Sequence, residues 1–493
     1  MTQQATALLN DLRAAVSNDA RWRGLHTELD ELQKRLSMPM RVAVVGQIKT
    51  GKSTLMNALL GEVLLPTDFT ETTYNINWLR HGHTPKAVIR WRDGRAENVP
   101  LSDIVTWTAR QGAPKNADEV RYMDIYAPVE VLKRVELIDT PGLGSSYEVD
   151  SQKTAAFLQI ADDASDREAS EADAIVFVFR RSMHEDDERA LRAFQRAAQG
   201  RVSPLNAIGV LSQIDHYWPA APDPMAAAGR VIESLKSKET VRNTLYDVAP
   251  LSALMAQAPF AVDAVAREAL SALAAVSDDE FRWLTANAAR FIEEAPQAGA
   301  ASVEGRKRLV LQLGLYGVER ARRLCAAQGV DGALRAVREE SGVPQLMALL
   351  ERHFGQRASL IKLLYGLLKL RRIATQLIDS SDPSAGAIGR AWQERIETFS
   401  LGNTTALRLD LLRAIYAGET DFTKREIEEV RAAAGEFGEG RRERFGEAST
   451  AALEERIAYW RRRRMESREI GARAEFAAHA MCALLEEAIR MPE

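Results

Sequence analysis

The sequence predicts an α/β domain with a mixed, mainly parallel sheet, joined to an α-helical bundle stalk built from N-terminal and C-terminal helices. Two observations predict this fold class. Short β-branched runs alternate with helical stretches between about residues 41 and 213, which is typical of a parallel sheet covered by helices. Long Ala-, Leu-, Arg- and Glu-rich segments with helical periodicity precede and follow that region.

Composition and charge indicate a globular protein with more than one domain. The chain has 493 residues, of which 46% are hydrophobic and 27% charged. The formal net charge of -4 argues against a general nucleic-acid binder, which is expected to be basic. Cys325 and Cys482 form no metal or redox motif, and neither a signal peptide nor a membrane-spanning run is visible. We therefore expect a cytoplasmic protein that binds no nucleic acid.

The elements follow from the pattern in chain order. Helices are predicted over residues 1–38, where leucines form an amphipathic stripe. Strands are predicted at 41–46, 87–91, 122–127, 135–139, 174–179 and 207–213, with a hairpin turn at 92–94. Later helices are predicted at 340–354, 356–380, 385–398, 403–416 and 421–435, followed by one final helix over 448–489.

The final helix would be roughly 60 Å long, which is too long to pack on one small domain alone. Pairing it with the N-terminal helices in a bundle is the economical arrangement. The expected domains are N-terminal stalk helices (1–39), an α/β domain (40–354) and a C-terminal helical stalk (355–493). Within the α/β domain, the motifs fall in 40–260 and a helical extension occupies 261–354.

A phosphate-binding loop is predicted in VAVVGQIKTGKSTLMNALLG, residues 42–61, which matches G-x-x-x-x-G-K-S between a strand and a helix. Its glycines let backbone N–H groups approach phosphate oxygens, and the helix N-terminus adds its dipole. Lys52 neutralises the β- and γ-phosphates, and Ser53 is a candidate Mg²⁺ ligand. The candidate nucleotide-binding residues of the loop are Gly46, Gln47, Lys49, Thr50, Gly51, Lys52, Ser53 and Thr54.

Two further segments have the character of switch elements. IDTPGLGSS, residues 138–146, contains D-x-x-G after a strand, so Asp139 is expected to reach Mg²⁺ through water and the Gly142 N–H to sense the γ-phosphate. Between this motif and the phosphate-binding loop, a segment offers four threonines: Thr67, Thr70, Thr72 and Thr73. One of these hydroxyls is expected to complete the Mg²⁺ shell when the γ-phosphate is present.

Asp215, in GVLSQID, is the candidate base reader. Its carboxylate can accept from the N1–H and N2–H of guanine, a pair of donors that adenine lacks, so the expected ligand is GTP. The usual motif is N/T-K-x-D, whereas this chain has Ser212 and Gln213, and loss of the lysine is expected to weaken affinity. Ser252 and Ala253 are expected near the guanine O6. The alternative is that Asp215 merely begins a loop.

These motifs, in this order, resemble the bacterial dynamin-like GTPases, and are most similar to the short actinobacterial members, the isoniazid-induced dynamin-like proteins. The resemblance implies a head that hydrolyses GTP with Mg²⁺, a helical stalk, and a homodimer or a heterodimer with another dynamin-like protein. It also implies membrane remodelling, tethering or repair by a protein peripheral on the inner face of the cell membrane. The family's pattern places the switch threonine at Thr73, with Thr72 as the alternative. The implied catalytic residues are Lys49, Lys52 and Thr73, and the implied metal ligands are Ser53, Thr73 and Asp139.

Several alternatives stay open at this stage. Lys49 occupies the position where guanylate-binding relatives place a basic residue that folds over the phosphates, but a solvated surface lysine is the alternative. The arginine run in 459–468 suits an anionic lipid membrane, yet salt bridges on a helix face explain it equally simply. Phe437 and Phe445 are candidates for shallow membrane insertion. A soluble GTPase switch whose stalk binds a protein, or a nucleotide-binding scaffold with little turnover, are the competing functions.

Overall fold

The chain divides into two compact units: Arg41–Glu351, called the head below, and Met1–Met40 with Arg352–Glu493, called the stalk. The computed structural model describes residues 3–17, 19–65, 75–108, 114, 119–141, 172–180, 188–189, 191–192, 204–294, 296, 301–355, 357–416, 418–438 and 440–491. No helix among these residues is both long enough and apolar enough to cross a membrane. The predicted fold class, an α/β domain with a helical stalk, is confirmed.

The described residues of the head contain a nine-stranded sheet. Its strands are β1 (Met40–Gly46), β2 (Asn77–His81), β3 (Lys86–Trp91), β4 (Ala96–Val99), β5 (Val120–Ala127), β6 (Val135–Asp139), β7 (Ala174–Arg180), β8 (Ala207–Ser212) and β9 (Val248–Leu251). Their order across the sheet is β4-β3-β5-β2-β6-β1-β7-β8-β9. The strands β1, β7, β8 and β9 pair in parallel, whereas β3 is antiparallel to both β4 and β5, and β2 is antiparallel to β6.

The six predicted strands and the hairpin turn are all present, and three strands were missed. The hairpin joins β3 to β4 as expected. The missed strands are β2, β4 and β9. The sequence of β2 is polar at Asn77, Arg80 and His81, and β4 is largely exposed, so neither shows the apolar run of a buried strand. The strand β9 has only four residues and contains Pro250, which lowers its β-propensity.

The described helices are α1 (Gln3–Ala14), α2 (Arg23–Ser37), α3 (Lys52–Leu60), α4 (Ile104–Thr108), α5 (Pro224–Ser237), α6 (Glu239–Thr244), α7 (Ala253–Ala256), α8 (Ala258–Ala261), α9 (Ala264–Leu273), α10 (Asp278–Leu284), α11 (Ala288–Glu293), α12 (Val303–Glu339), α13 (Val343–Leu350), α14 (Ala358–Ile378), α15 (Pro383–Gly402), α16 (Thr404–Tyr416), α17 (Lys424–Ala433), α18 (Arg441–Phe445), α19 (Thr450–Ser467) and α20 (Ala472–Arg490). In the head, α9–α12 enclose an apolar core that includes Phe281, Phe291, Leu309 and Leu313. Burial of this core holds the helical extension together.

A buried ionic network crosses one face of the sheet. The Glu136 carboxylate of β6 accepts from Arg41 Nε of β1 at 3.2 Å and from Trp78 Nε1 of β2 at 2.9 Å. The guanidinium groups of Arg41 and Arg80 lie over the Trp78 ring, 4.4 and 4.1 Å from its centroid. Arg80 is also within 3.1 Å of Asp124 in β5. One carboxylate therefore ties β6 to both of its neighbours, β1 and β2.

In the stalk, N-terminal helices pack on C-terminal ones. Lys369 of α14 pairs with Glu28 of α2 at 2.6 Å, and Lys362 donates to the Leu36 carbonyl at 3.2 Å. A second pairing joins α15 to α1, where Arg395 Nη1 donates to the Asp11 carbonyl at 3.1 Å. These contacts place the two ends of the chain in one helical unit.

The prediction of a single final helix over 448–489 was wrong. The chain instead forms α19 and α20, which are separated by a turn ending at Gly471. The pairs Arg461–Glu486 and Arg464–Glu475 show that the two helices run antiparallel. Both helices contribute apolar side chains to the stalk core, which also includes residues of α16. Helical periodicity alone does not reveal this packing, so it could not predict the turn.

Removing the Glu136 carboxylate should destabilise the head strongly. The Glu136→Ala variant deprives Arg41 and Trp78 of a buried acceptor, and loss of one partner from a buried pair costs about 3–5 kcal/mol. The matched control is Glu130→Ala, because that carboxylate forms a pair with Lys133 in solvent. Urea unfolding monitored by circular dichroism should show a large loss for the first variant and none for the second. Equal effects would contradict the structural role of the network.

Candidate functional site

The phosphate-binding loop follows β1 and leads directly into α3. Position 46 must be glycine because a Cβ atom there would lie 2.2 Å from the Val178 carbonyl oxygen of β7. Gly51, at φ +85°, precedes the first turn of α3 in the left-handed region that favours glycine. Lys49 is also left-handed, at φ +59°, and its side chain is exposed. The loop therefore adopts the compact curve that a phosphate cradle needs.

Lys52 points back into this loop. Its Nζ donates to the carbonyl oxygens of Gly46, at 3.2 Å, and Gln47, at 3.0 Å. Burial lowers the pKa of Lys52 to about 8, while the Asp139 carboxylate opposes that change. The Thr50 hydroxyl also donates to the Gln47 carbonyl, at 2.9 Å. The ammonium group thus lies under the loop, where it would supply a positive charge to a phosphate bound above it.

Ser53 and Asp139 meet beside the loop. The Ser53 hydroxyl donates to Asp139 Oδ2 at 3.1 Å, although the two residues are 86 positions apart. The neighbouring Thr140 hydroxyl donates to the Val44 carbonyl at 2.9 Å, which holds the end of β6 against β1. A hydroxyl and a carboxylate are hard oxygen donors, and Mg²⁺ is commonly held by one or two protein groups together with phosphates. The residues present therefore fit Mg²⁺.

The remaining predicted metal and switch residues cannot be placed. Thr73, its alternative Thr72, the other switch threonines Thr67 and Thr70, and Gly142 all lie outside the described residues. Among the residues that are described, no group of three or more His, Cys, Asp or Glu side chains could hold a metal ion. Thr54 lies half-buried in the first turn of α3.

The end of β8 is tied to the phosphate-binding loop by two side chains. The Ser212 hydroxyl contacts the carbonyl oxygens of Thr50, at 2.6 Å, and Phe179, at 3.1 Å. Gln213, left-handed at φ +57°, donates from Nε2 to the Lys49 carbonyl at 2.9 Å. Both side chains thus bond the protein itself. Sequence reasoning treated Gln213 only as a missing lysine and did not foresee that its amide would connect the two motifs.

Asp215 follows in a short 3-10 turn, Ile214–Tyr217, and is almost completely buried. On the facing segment, Ser252 caps α7 by accepting from the Met255 N–H, and Ala253 begins that helix. Asp215 and the Ser252–Ala253 segment follow the neighbouring strands β8 and β9 respectively. Both therefore lie at the carboxyl edge of the sheet, where open α/β sheets bind their ligands.

Gly314 lies beside Asp215, and sequence reasoning did not single it out. The helix α12 contains two positions with non-helical backbone angles, Gly314 at φ +72° and Gly329 at φ +65°. A Cβ atom at position 314 would lie 3.1 Å from Asp215 Oδ2, whereas one at position 329 would meet nothing within 4 Å. The only signal in the sequence is a glycine inside an otherwise helical run, LQLGLYG. The break lets bare backbone pass beside the base-reading carboxylate.

The part of the chain that contains this site is similar to known proteins. The sequence pattern of the dynamin family matches residues 42–214. The isoniazid-induced protein IniC of Mycobacterium tuberculosis is 30% identical over 353 residues, which cover 70% of this chain and 69% of that protein. Dynamin-like protein 2 of Campylobacter jejuni is 31% identical over 159 residues, covering 31% of this chain and 25% of that protein.

A solved structure of an oligomerised bacterial dynamin pair covers 99% of this chain and 74% of its own, at 15% identity and a TM-score of 0.32. The family match spans the phosphate-binding loop, the D-x-x-G motif and the end of β8, and the similarity to IniC extends over two thirds of both chains. The chain belongs to the bacterial dynamin-like family, whose members are GTPases that hydrolyse GTP.

Proposed function

We propose that this GTPase is a Mg²⁺-dependent mechanoenzyme that dimerises through its head and remodels, tethers or repairs a membrane from the cytoplasmic side. The observation that supports the nucleotide chemistry is the contact between the Ser53 hydroxyl and the Asp139 carboxylate at the mouth of the phosphate-binding loop. In this proposal Ser53 binds the metal directly and Asp139 binds it through water. Ser53 and Asp139 would hold Mg²⁺, which would supply positive charge to offset the negative charge that develops on the phosphates during transfer.

The other residues have complementary roles. Lys52 places its ammonium group under the phosphates, and Gly46, Gln47, Thr50, Gly51 and Thr54 complete the cradle. Asp215 accepts from the guanine N1–H and N2–H. The sequence motifs assign Thr73 to the Mg²⁺ shell and the Gly142 N–H to the γ-phosphate. These assignments follow the sequence motifs and the geometry around the loop.

Lys49 is proposed as a basic finger in cis. Its backbone is held by the Gln213 amide at the Lys49 carbonyl, while its side chain projects into solvent at the edge of the loop. The left-handed backbone of a residue other than glycine carries a strain that functional sites tend to retain. A lysine anchored in this way can swing its charge over the phosphates without moving the loop. Stabilising transition-state charge is the largest single contribution that such a group makes.

One prediction of the proposed function concerns Lys49. Lys49→Ala should lower GTP turnover by at least about tenfold. This loss of turnover should be smaller than the one caused by removing an arginine finger, because lysine is a compact point charge. Affinity for GDP should change by less than about twofold, since the finger acts on transition-state charge. Turnover is measured by phosphate release over a range of protein concentrations. A rise in the specific activity of the unaltered protein with concentration supports dimerisation.

The control is Lys49→Gly, which removes the same charge but also relieves the left-handed strain at position 49. Equal losses of turnover in the alanine and glycine variants assign the effect to the charge. Turnover retained in both variants would show that Lys49 is a surface charge. A specific activity that does not change with concentration would contradict activation by dimerisation.

A second prediction concerns the base pocket. Gly314→Ala places a methyl group 3.1 Å from Asp215 Oδ2 and should displace that carboxylate, weakening GDP affinity about tenfold, or about 1.4 kcal/mol. Gly329→Ala is the matched control, because it imposes the same left-handed strain in the same helix with no neighbour within 4 Å. Titration with fluorescent GDP compares the two. Equal affinity in both variants would exclude position 314 from the guanine site.

The stalk supplies a candidate membrane surface at the turn between α19 and α20. Met465, in the last turn of α19, and Ile470 are 68% and 57% exposed. The neighbouring Arg468 and Arg473 have exposed side chains that pair with Glu475, at 4.0 Å, and Glu419, at 3.6 Å. Apolar side chains flanked by arginines suit shallow insertion at an anionic lipid surface. Within the arginine run, the largely buried Arg463 pairs with Asp421 and Glu426, and the exposed Arg461 and Arg464 pair with Glu486 and Glu475.

The alternative insertion residues fare differently. Phe445 lies in the apolar core of the stalk and is 5% exposed, so its predicted insertion was wrong. Glycines interrupt the sequence around Phe445, which is typical of a loop, but Phe445 ends the short helix α18. Phe437 is exposed and lies under Arg431, 5.3 Å from its ring centroid. The turn at residues 465–470 is therefore the better surface to test.

The membrane proposal predicts the behaviour of a double variant. Met465→Asp with Ile470→Asp should reduce binding to phosphatidylglycerol vesicles several-fold, because both apolar contacts are lost and charge is added. The control is Leu401→Asp, which alters an equally exposed apolar side chain of the stalk. Vesicle flotation is run with GDP and with a non-hydrolysable GTP analogue, and GTP turnover in solution should be unchanged. Absence of binding by the unaltered protein in both states would favour a soluble switch whose stalk binds a protein.

A further inference from the structure

Asn77, the first residue of β2, carries a side chain without an explanation in the fold. It is completely buried, and within the described residues neither its amide nitrogen nor its amide oxygen has a hydrogen-bond partner. Leaving a buried polar group unsatisfied costs about 1–3 kcal/mol. Native structures retain few such groups, and those that persist commonly face an ion or water. The amide therefore points to a ligand.

The strand register locates this amide. In the antiparallel ladder between β2 and β6, Asn77 is paired with Asp139. Residues directly opposite each other on such a ladder share a face, with their Cβ atoms about 4.5–5.5 Å apart. The next residue, Trp78, turns to the opposite face, where its Nε1 donates to Glu136. Asn77 is thus beside the carboxylate that contacts Ser53.

The chemistry of Mg²⁺ matches an amide at this position. Mg²⁺ keeps several of its waters, and each of these waters donates hydrogen bonds to groups around it. Groups that bond the ligands of a metal orient them and raise its affinity. An asparagine amide offers one acceptor for a metal-bound water and one donor for a carboxylate or phosphate oxygen. An apolar residue in the same space offers neither.

We propose that Asn77 is an outer-shell positioning residue for the Mg²⁺ of the nucleotide site. Its amide oxygen accepts from a metal-bound water that Asp139 also orients, and its amide nitrogen donates to the Asp139 carboxylate or to a phosphate oxygen. This inference rests on the proposed Mg²⁺ site at Ser53 and Asp139. It adds a residue outside every motif used to assign that site.

The test is Asn77→Leu, which replaces the amide by an apolar side chain of nearly the same size. Metal affinity is measured on the GDP complex by electron paramagnetic resonance titration with Mn²⁺, and by the Mg²⁺ concentration that slows GDP release. The expected result is a metal affinity about 10- to 100-fold weaker, the usual effect of losing such a partner. Affinity for GDP in the presence of a chelator should be unchanged, because Asn77 acts through the metal.

Stability separates this role from a purely structural one. If the amide is only an unsatisfied group, Asn77→Leu raises the melting temperature and leaves metal affinity unchanged, which would overturn the proposal. The control is Leu79→Val, a small change two residues along β2 on the same face, opposite Leu137. A similar loss of metal affinity in that control would also overturn it, by showing that any perturbation of β2 suffices. If the unaltered protein retains GDP equally with and without Mg²⁺, the proposed metal site itself is wrong.

Discussion

The nucleotide site depends on the hydrogen bonds that join the end of β8 to the phosphate-binding loop. Ser212 and Gln213 reach the carbonyl oxygens of Thr50 and Lys49, so the segment proposed to read the base is hydrogen-bonded to the predicted phosphate-binding loop. Two residues with left-handed backbones, Lys49 and Gln213, meet at this junction. Strain of about 1–3 kcal/mol at each such residue persists only where the surroundings over-determine it. The two halves of the site are consequently one rigid unit.

The second organising feature is the way charge is balanced around Lys52. Its ammonium group donates to the Gly46 and Gln47 carbonyls, and the Asp139 carboxylate is close enough to raise its pKa. Burial favours the neutral amine, and its pKa of about 8 still leaves the group mostly charged at neutral pH. Phosphate binding would add negative charge and strengthen the ammonium form.

How much of this could be predicted from sequence depended on whether the signal was local. The phosphate-binding loop, Asp139 and Asp215 are carried by short motifs at strand ends, so their positions followed from the pattern alone. Asn77 could not be assigned, because its meaning comes from the pairing of β2 with β6, which periodicity does not show. The turn at Gly471 and the break at Gly314 were not predicted, for a related reason. A single glycine in a helical run does not reveal whether tertiary contacts will bend the chain there.

The amide of Gln213 has a consequence for behaviour in different ionic media. In the usual form of the motif this position is a lysine, whose contacts weaken as ions screen its charge. Here the link to the Lys49 carbonyl is made by a neutral donor, so dissolved ions hardly affect the geometry of the junction. Electrolyte acts instead on Lys49, Lys52 and the bound phosphates. A hydrogen bond from a neutral donor thus holds the shape of the phosphate-binding loop. The ionic strength can then change the attraction of the loop for its ligand without altering that shape.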